Sequence, residues 1–399
     1  MRKNAPVAIT GIGCLSAAGM SMKENMASLY TGKRRAAPPV RFSSGHPAPY
    51  PVFEVLDDPL SEYSPQHIDI SRTCRLGIAA ALEALRDAGL DPGQTTGLKV
   101  GVCMGTTVGS AMNNEEFYRD YRNGMHPDMK IIERFLAGNP ASVIAREFRL
   151  NGPCQTVVNA CSSGTDAIGV GASWIRSGIC DMVIAGGADE LCRVTYNGFI
   201  SLMIADSSPC RPFDRDRKGL NLGEGAAVLI LAADRVIKEE KMKARAFVLG
   251  YGSASDGYHL TAPSPEGKGL RNAMTDALME SGKAAGDIAF INAHGTATRD
   301  NDRTEAMVLR EMLHEAPFFS TKGYTGHALG AAGAIEAAFT VACLESGMIP
   351  ANAGFISPDP ELGISPVVEN TRISQGVAIS DSLAFGGHNA VLVLGLDRG

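Results

Sequence analysis

The chain has 399 residues, 45% hydrophobic and 20% charged, with a formal net charge of −6. That length suits two domains or one duplicated domain around a large core, and the acidic balance argues against general nucleic-acid binding. No apolar run approaches the ~18 residues of a spanning helix, and MRKNAPVAITGIG turns into a strand pattern too soon for a secretory leader, so no membrane attachment is expected.

The first predicted strand covers 7–12, in VAITGIGCLSAAG. The motif imitates a dinucleotide-binding turn, but Ser16 occupies the third glycine position and no acidic residue closes a βαβ unit, so nucleotide binding is not expected. Segment 41–65 is rich in Pro, Ser and Gly without periodicity and reads as an irregular surface excursion. A helix is predicted over 72–88, a strand over 99–104, a helix over 140–147, a strand over 155–159 and a helix over 164–177. Strands follow at 182–185, 226–231 and 246–251, a helix at 269–281, a strand at 288–292 and a helix at 303–312. A strand at 318–321, a helix at 330–345 and strands at 376–379 and 390–396 complete the series. Continuous apolar strands alternating with helices predict an α/β fold with sheets covered on both faces. The 45 glycines exceed the usual ~7% of residues and fall beside these runs, where tight turns and close backbone approach need them. Nine cysteines without a CxxC pair fit a reducing cytoplasm and offer no structural zinc site.

Two segments look alike: TVVNACSSGTDAIGVGASWI and FFSTKGYTGHALGAAGAIEAAF. Each reads as a strand, a polar residue at a turn, then a helix of small residues. They are either two ordinary buried helices or the close-packed centre of two similar halves, 1–243 and 244–399.

The first segment places Cys161 between a strand and a helix. A thiol at a helix N-terminus meets the positive end of the dipole and unpaired N–H groups, which favour the nucleophilic thiolate. The alternative is a buried inert cysteine, the expectation for the other eight. His294 (INAHGTATRDND) and His327 (STKGYTGHALGAAG) also sit at strand ends in Gly-rich turns, where α/β folds place their chemistry. Neutral imidazoles there donate hydrogen bonds to a developing enolate or oxyanion. Lys322 and Glu336 flank His327 as either a buried pair orienting the histidine or a surface ion pair. In Ala384–Asn389, AFGGHN, two adjacent glycines form either a simple turn or a backbone oxyanion site.

Together these motifs resemble the β-ketoacyl-acyl-carrier-protein synthases I and II and their polyketide relatives, over essentially the whole chain. NACSSG resembles the nucleophile motif, NAHGTATRDND the first histidine motif, and STKGYTGHALGAAGAIE the lysine–histidine–glutamate motif. VAITGIGCLSAAG, CRPFDRDRKGLNLGEGAAVLIL and AFGGHN match further blocks in order. The resemblance implies a thiolase-like fold, two similar halves in a five-layer α-β-α-β-α sandwich. It implies catalytic Cys161, His294, His327, Lys322 and Glu336, with the N–H groups of Cys161 and Phe385 as the oxyanion hole. Thr261, Thr296 and Thr298 would contact the pantetheine arm, Val108 the acyl group, and Phe385 would gate. The implied reaction is decarboxylative condensation of a malonyl-carrier thioester with an acyl group on Cys161. No metal or dissociable cofactor is implied, since substrates ride on the phosphopantetheine of acyl carrier protein. Arg72, Arg75, Lys130 and Arg211 are expected to hold that acidic partner. An obligate dimer follows, either of two copies or with a chain-length-factor-like subunit.

His388 stands where threonine is commoner and Leu383 where an aromatic is commoner. TRDNDRTE and GTTVGSAMNNEEFY lean toward the polyketide and polyene branch. The alternatives are a thiolase or third-class synthase, a cysteine protease, or a non-catalytic chain-length-factor-like subunit. The intact cysteine and both histidines argue against the last.

Overall fold

In chain order the first part runs β1 (Val7–Ser16), α1 (Met22–Tyr30), α2 (Arg72–Asp87), β2 (Val100–Gly105), α3 (Glu115–Arg122), α4 (Lys130–Ala137), α5 (Pro140–Glu147), β3 (Cys154–Val157), α6 (Ser163–Arg176), β4 (Met182–Asp189), α7 (Arg193–Ser201) and β5 (Gly225–Ala232). Helix α8 (Asp234–Glu239) leads to β6 (Ala246–Ser255), α9 (Lys268–Ser281), β7 (Phe290–Asn292), α10 (Arg299–Met312), β8 (Phe318–Phe319), α11 (Lys322–Thr325) and α12 (Ala332–Ser346). The chain then forms β9 (Met348–Ile349), β10 (Thr371–Arg372), β11 (Val377–Ala384) and β12 (His388–Gly395). This computed structural model describes residues 5–65, 70–91, 97–107, 109, 114–373 and 376–397.

The ten predicted strands form one array in the order β3-β2-β4-β5-β1-β6-β12-β11-β7-β8. Read from each outer edge inward, 3-2-4-5-1 and 8-7-11-12-6 are the same arrangement. In both, the outer three strands run parallel and the next two antiparallel. The halves join where Val7–Ile9 pair with Ala246–Val248. Helix α2 packs on β1, β4 and β5, and α5 on β2 and β3; α9 packs on β6 and β12, with α10 beside it. Helices α6 and α12 touch each other and strands of both halves. The result is the expected five-layer α-β-α-β-α sandwich.

The central layer explains the small residues. A Cβ on Gly164 would come within 2.8 Å of the Ala334 backbone nitrogen, and one on Gly333 would overlap the Thr165 hydroxyl. Helices α6 and α12 therefore cross at backbone contact. Gly11 and Gly13 in β1 play a packing role too: a Cβ there would run into the Ala84 and Ala80 carbonyls of α2. The glycines that imitate a phosphate-binding turn thus seat a helix on a strand.

Two expectations are corrected. Segment 41–65 has no helix or strand, but Val52, Phe53 and Val55 are at most 1% exposed, and Phe53 N–H donates to Leu222 O. The excursion is a strap with an apolar underside. The 18 residues Leu329–Ser346 are apolar enough, by length and composition, for a membrane span, longer than the sequence reading allowed. They are 83% buried, because α12 is enclosed by protein on all sides and needs no polar face.

Candidate active site

Three chain reversals converge on one cavity of about 310 Å³. The first follows β3, where a single turn, Ala160–Ser162, carries Cys161 into α6. Ala160 has φ of 49°, a left-handed conformation a non-glycine residue adopts only under restraint. The Ser163 hydroxyl donates to Ala160 O at 2.6 Å, and Thr107 Oγ1 donates to the same oxygen at 2.9 Å.

The second reversal follows β7. His294 N–H donates to Asp381 Oδ1 at 3.0 Å and Gly295 N–H to Glu305 Oε2 at 2.8 Å, so two buried carboxyls grip the backbone. The third precedes α12. His327 N–H donates to Asn221 O at 2.8 Å, and His327 O accepts from Gly223 N–H at 3.0 Å. The GLNLGEG stretch is therefore a backbone clamp on His327. Asp189 reinforces it, accepting from Gly330 N–H and Thr107 N–H, both at 2.7 Å.

One sulfur and one ring nitrogen from each histidine lie within 4.8 Å of one another, and the two rings meet edge to face with centroids 5.1 Å apart. Lys322 is 1% exposed, and its Nζ contacts Glu336 Oε1, His294 O at 2.5 Å and His294 Nδ1 at 3.0 Å. The Lys322–Glu336 pair is thus buried. It bears directly on His294, however, not on His327, its neighbour in sequence. His327 Nδ1 accepts instead from Leu329 N–H at 3.2 Å. With both Nδ1 atoms accepting, the neutral rings carry their protons on Nε2 and present them as donors.

Burial pushes both histidines well below the ordinary imidazole value, helped by the Lys322 charge and, at His294, by His327. They are neutral at pH 7. Burial also raises Cys161 to about 11; the Lys322 charge and the Phe385 backbone N–H pull the other way, and Glu336 and Asp189 add to the rise. The helix start therefore does not make the resting group a thiolate: desolvation outweighs it. Glu336 is raised to about 7 by burial, against the Lys322 charge, and Asp381 to about 6 by burial.

Thr261, Thr296, Thr298 and Phe385 all line the cavity, as does Leu383. Val108 lies outside the described residues. The Phe385 ring stacks on Phe199 at 5.6 Å, a partner not anticipated from sequence. Arg72 does not form a surface patch: its guanidinium takes Glu224 in two hydrogen bonds, of 3.1 and 2.7 Å, and caps Val55 O. Arg75 pairs with Asp58 at 2.6 Å, Lys130 is exposed at the start of α4, and Arg211 is half-buried. None of the four lines the cavity; the basic residues that do are Lys218 and Arg299. Asp189, Glu305 and Asp381 were also missed. Cys161, His294 and His327 offer donor atoms of the kind that hold metals, yet Lys322 beside His294 opposes a bound cation, and its N–H occupies one imidazole nitrogen.

Two repeated halves with a thiol and two imidazole donors at their junction place the chain among the thiolase-like acyltransferases. The chain belongs to the β-ketoacyl synthase family: residues 4–235 match its N-terminal domain and 245–355 its C-terminal domain. It is 30% identical to 3-oxoacyl-[acyl-carrier-protein] synthase 2 of Synechocystis sp., over 97% of each chain. It is 32% identical to the tetracenomycin polyketide synthase ketoacyl synthase alpha subunit of Streptomyces glaucescens, over 97% of this chain and 96% of the relative. Among solved structures, the ishigamide ketosynthase/chain length factor superposes with a TM-score of 0.92 at 31% identity, covering 98% of this chain and 99% of the other.

Proposed function

We propose that the chain makes carbon–carbon bonds between carrier-bound acyl thioesters, with Cys161 holding the acyl group and His294 and His327 serving the malonyl unit. The observation that carries this reading is the pair of neutral histidines, each with Nδ1 engaged from behind and Nε2–H left for the cavity. In the first half-reaction the Cys161 sulfur attacks the acyl carbonyl, the carrier sulfur leaves, and the thiol proton passes to it. In the second, the malonyl C–CO₂ bond breaks and its electron pair moves onto the thioester oxygen. Two imidazole N–H groups stabilise that enolate without giving up a proton. The enolate carbon attacks the acyl carbonyl, whose oxygen is held by the N–H groups of Phe385 and Cys161. Collapse expels the Cys161 thiolate. Lys322 and Glu336 keep His294 in the required tautomer, and Thr261, Thr296 and Thr298 hold the pantetheine arm. The deciding experiment incubates the protein with acyl-carrier thioesters of graded length and maps the adduct by mass spectrometry. Cys161 should carry the acyl group and Cys161→Ala none; an adduct on another cysteine would reject the assignment.

The carrier protein belongs to the same proposal, as does a dimer. Helices α3 and α4 and the β3 edge display Tyr118, Tyr121, Leu136 and Val158, each more than 60% exposed, which supports an apolar contact face. TRDNDRTE and GTTVGSAMNNEEFY lean toward a chain-length-factor-like partner over a second copy. Expressing the chain alone decides it: an active homodimer would defeat the heterodimer, whereas inactivity rescued by a cysteine-less homologue would support it. A cytoplasmic setting is proposed with them, supported by nine free thiols.

A further inference from the structure

One of the ties between the Ala160–Ser162 turn and the opposite half of the molecule runs through a buried side chain, Asp166. Asp166, in the first turn of α6, is 2% exposed. Its Oδ2 accepts from Asn159 Nδ2 at 2.9 Å and from Ser162 Oγ at 2.8 Å, so it grips the residues on either side of Ala160 and Cys161. Its Oδ1 accepts from Tyr251 Oη at 2.7 Å. Tyr251 belongs to β6 and pairs with Leu392 of β12, both in the second half. Its ring lies flat against α6 at Gly169, where any Cβ would overlap it. The missing Cβ at Gly169 leaves the room in which the ring lies, and from there the phenol delivers its O–H at the height of Asp166.

A left-handed alanine persists only where its surroundings over-determine it. The serine and threonine contacts to Ala160 O are local to the first half. The Asp166–Tyr251 hydrogen bond refers the turn to β6 and β12, while Thr165 Oγ1, one residue earlier, lies 2.8 Å from Ser382 Oγ of β11, the strand that runs into Phe385, and the Phe385–Gly387 turn packs against Ala160–Ser162. We propose that Asn159, Ser162, Asp166 and Tyr251 form a strut that sets the Cys161 thiol in register with the Phe385 N–H, with Asp166 and Tyr251 as positioning residues for acyl transfer. The proposal rests on Cys161 being the acyl acceptor. It acts through hydrogen bonds, so asparagine at 166 should serve: its oxygen takes the Asn159 and Ser162 donors and its NH₂ donates to the tyrosine oxygen.

The test uses a hexanoyl thioester of N-acetylcysteamine, which bypasses carrier docking, with single-turnover acylation followed by intact mass. Asp166→Ala should slow acylation about thirtyfold or more with half-saturation unchanged, since the loss is of alignment. Asp166→Asn should recover the rate to within about threefold. Tyr251→Phe should slow it less, and adding it to Asp166→Ala should change nothing further, because both cut one strut. A folded Asp166→Ala protein with the wild-type rate, an asparagine variant no better than alanine, or multiplying effects in the double variant would each overturn the proposal. If Asp166→Ala does not fold, Tyr251→Phe alone decides, a wild-type rate refuting. Wild-type protein that accepts no acyl group would instead defeat the functional reading. Alkylation of Cys161 by iodoacetamide then judges the strut alone: faster in Asp166→Ala than in wild type or Asp166→Asn if the turn loosens, equal in all three if it does not.

Discussion

Replacing Lys322 by alanine is the most informative single perturbation of the site. Its Nζ spends its hydrogen bonds on Glu336, the His294 carbonyl and His294 Nδ1, all buried. Removing it leaves a buried carboxyl unpaired, which ordinarily costs about 3–5 kcal/mol. Glu336 already sits near 7, so protonation will absorb part of that cost. The chemical loss is separate. A hydrogen bond to a charged group is worth about 1.5–3 kcal/mol, or roughly ten- to over a hundredfold in rate if it counts fully in the transition state. Without the lysine N–H, His294 is free to put its proton on Nδ1, which withdraws the donor from the enolate. Decarboxylation of malonyl-carrier thioester, read as CO₂ release, should fall by about that factor, while acyl loading of Cys161, read by mass, falls less. The pH profile gives a second signature. Lys322 is one cause of the depressed His294 value, so its loss lets that value rise. In the proposed mechanism the neutral ring is the working form, so decarboxylation in Lys322→Ala should decline as pH falls over a range where wild type is flat. Wild-type decarboxylation with an unshifted profile would refute the assignment of Lys322 to His294.

His294→Ala and His327→Ala should impair decarboxylation and condensation while leaving some acyl transfer, and full condensing activity in either would remove that residue from its role. Reversing Lys130 and Arg211 together should raise the KM for acyl-carrier protein in a salt-dependent way; an unchanged KM takes both out of the interface, and Lys218→Glu with Arg299→Glu then tests the cavity mouth. Glu336 has a folded value of about 7 against 4.5 normally, so its stabilisation is present below the ordinary value and is lost as pH rises through about 7. Glu336→Gln should therefore flatten the fall in Tm across that window, and an unchanged slope would show that the carboxyl is not the group responsible.

Most of the ten array strands were legible because they are short runs buried on both faces, which writes a continuous apolar signature; β3, with Cys154 and Gln155 exposed, is the exception. The small residues of α6 and α12 announced the close central crossing for a similar reason. The convergence of Cys161, His294 and His327 on one cavity was legible because each stands at a chain reversal in a Gly-rich motif. What failed depended on contacts between distant segments. Lys322 stands five positions before His327 in sequence, yet β7 and α11 bring it to His294. Arg72 looked like a surface cation until Glu224, far along the chain, proved to lie against it. Glu305 and Asp381 carry no signal of their own, since an acidic residue reads as exposed until the backbone N–H it accepts is known. The thiol's resting state failed on magnitude: the helix start favours the anion, as argued from sequence, but the desolvation opposing it depends on a burial that local spacing does not reveal.

The engagement of both imidazoles from behind also determines what the site can recognise. Its reactive end offers two ring N–H groups and the Phe385 amide N–H, against one thiol, so it speaks almost wholly in hydrogen-bond donors. A molecule is read there by its lone pairs. Carbonyl, carboxylate and sulfone oxygens answer that pattern, whereas an ammonium group, with no lone pair, meets donors facing donors beside a buried lysine. Selection between a thioester and an ammonium-bearing molecule is thus made before any bond changes, by the tautomers and the backbone donor together, and an inhibitor shaped to this pocket needs two acceptor atoms before it needs a warhead.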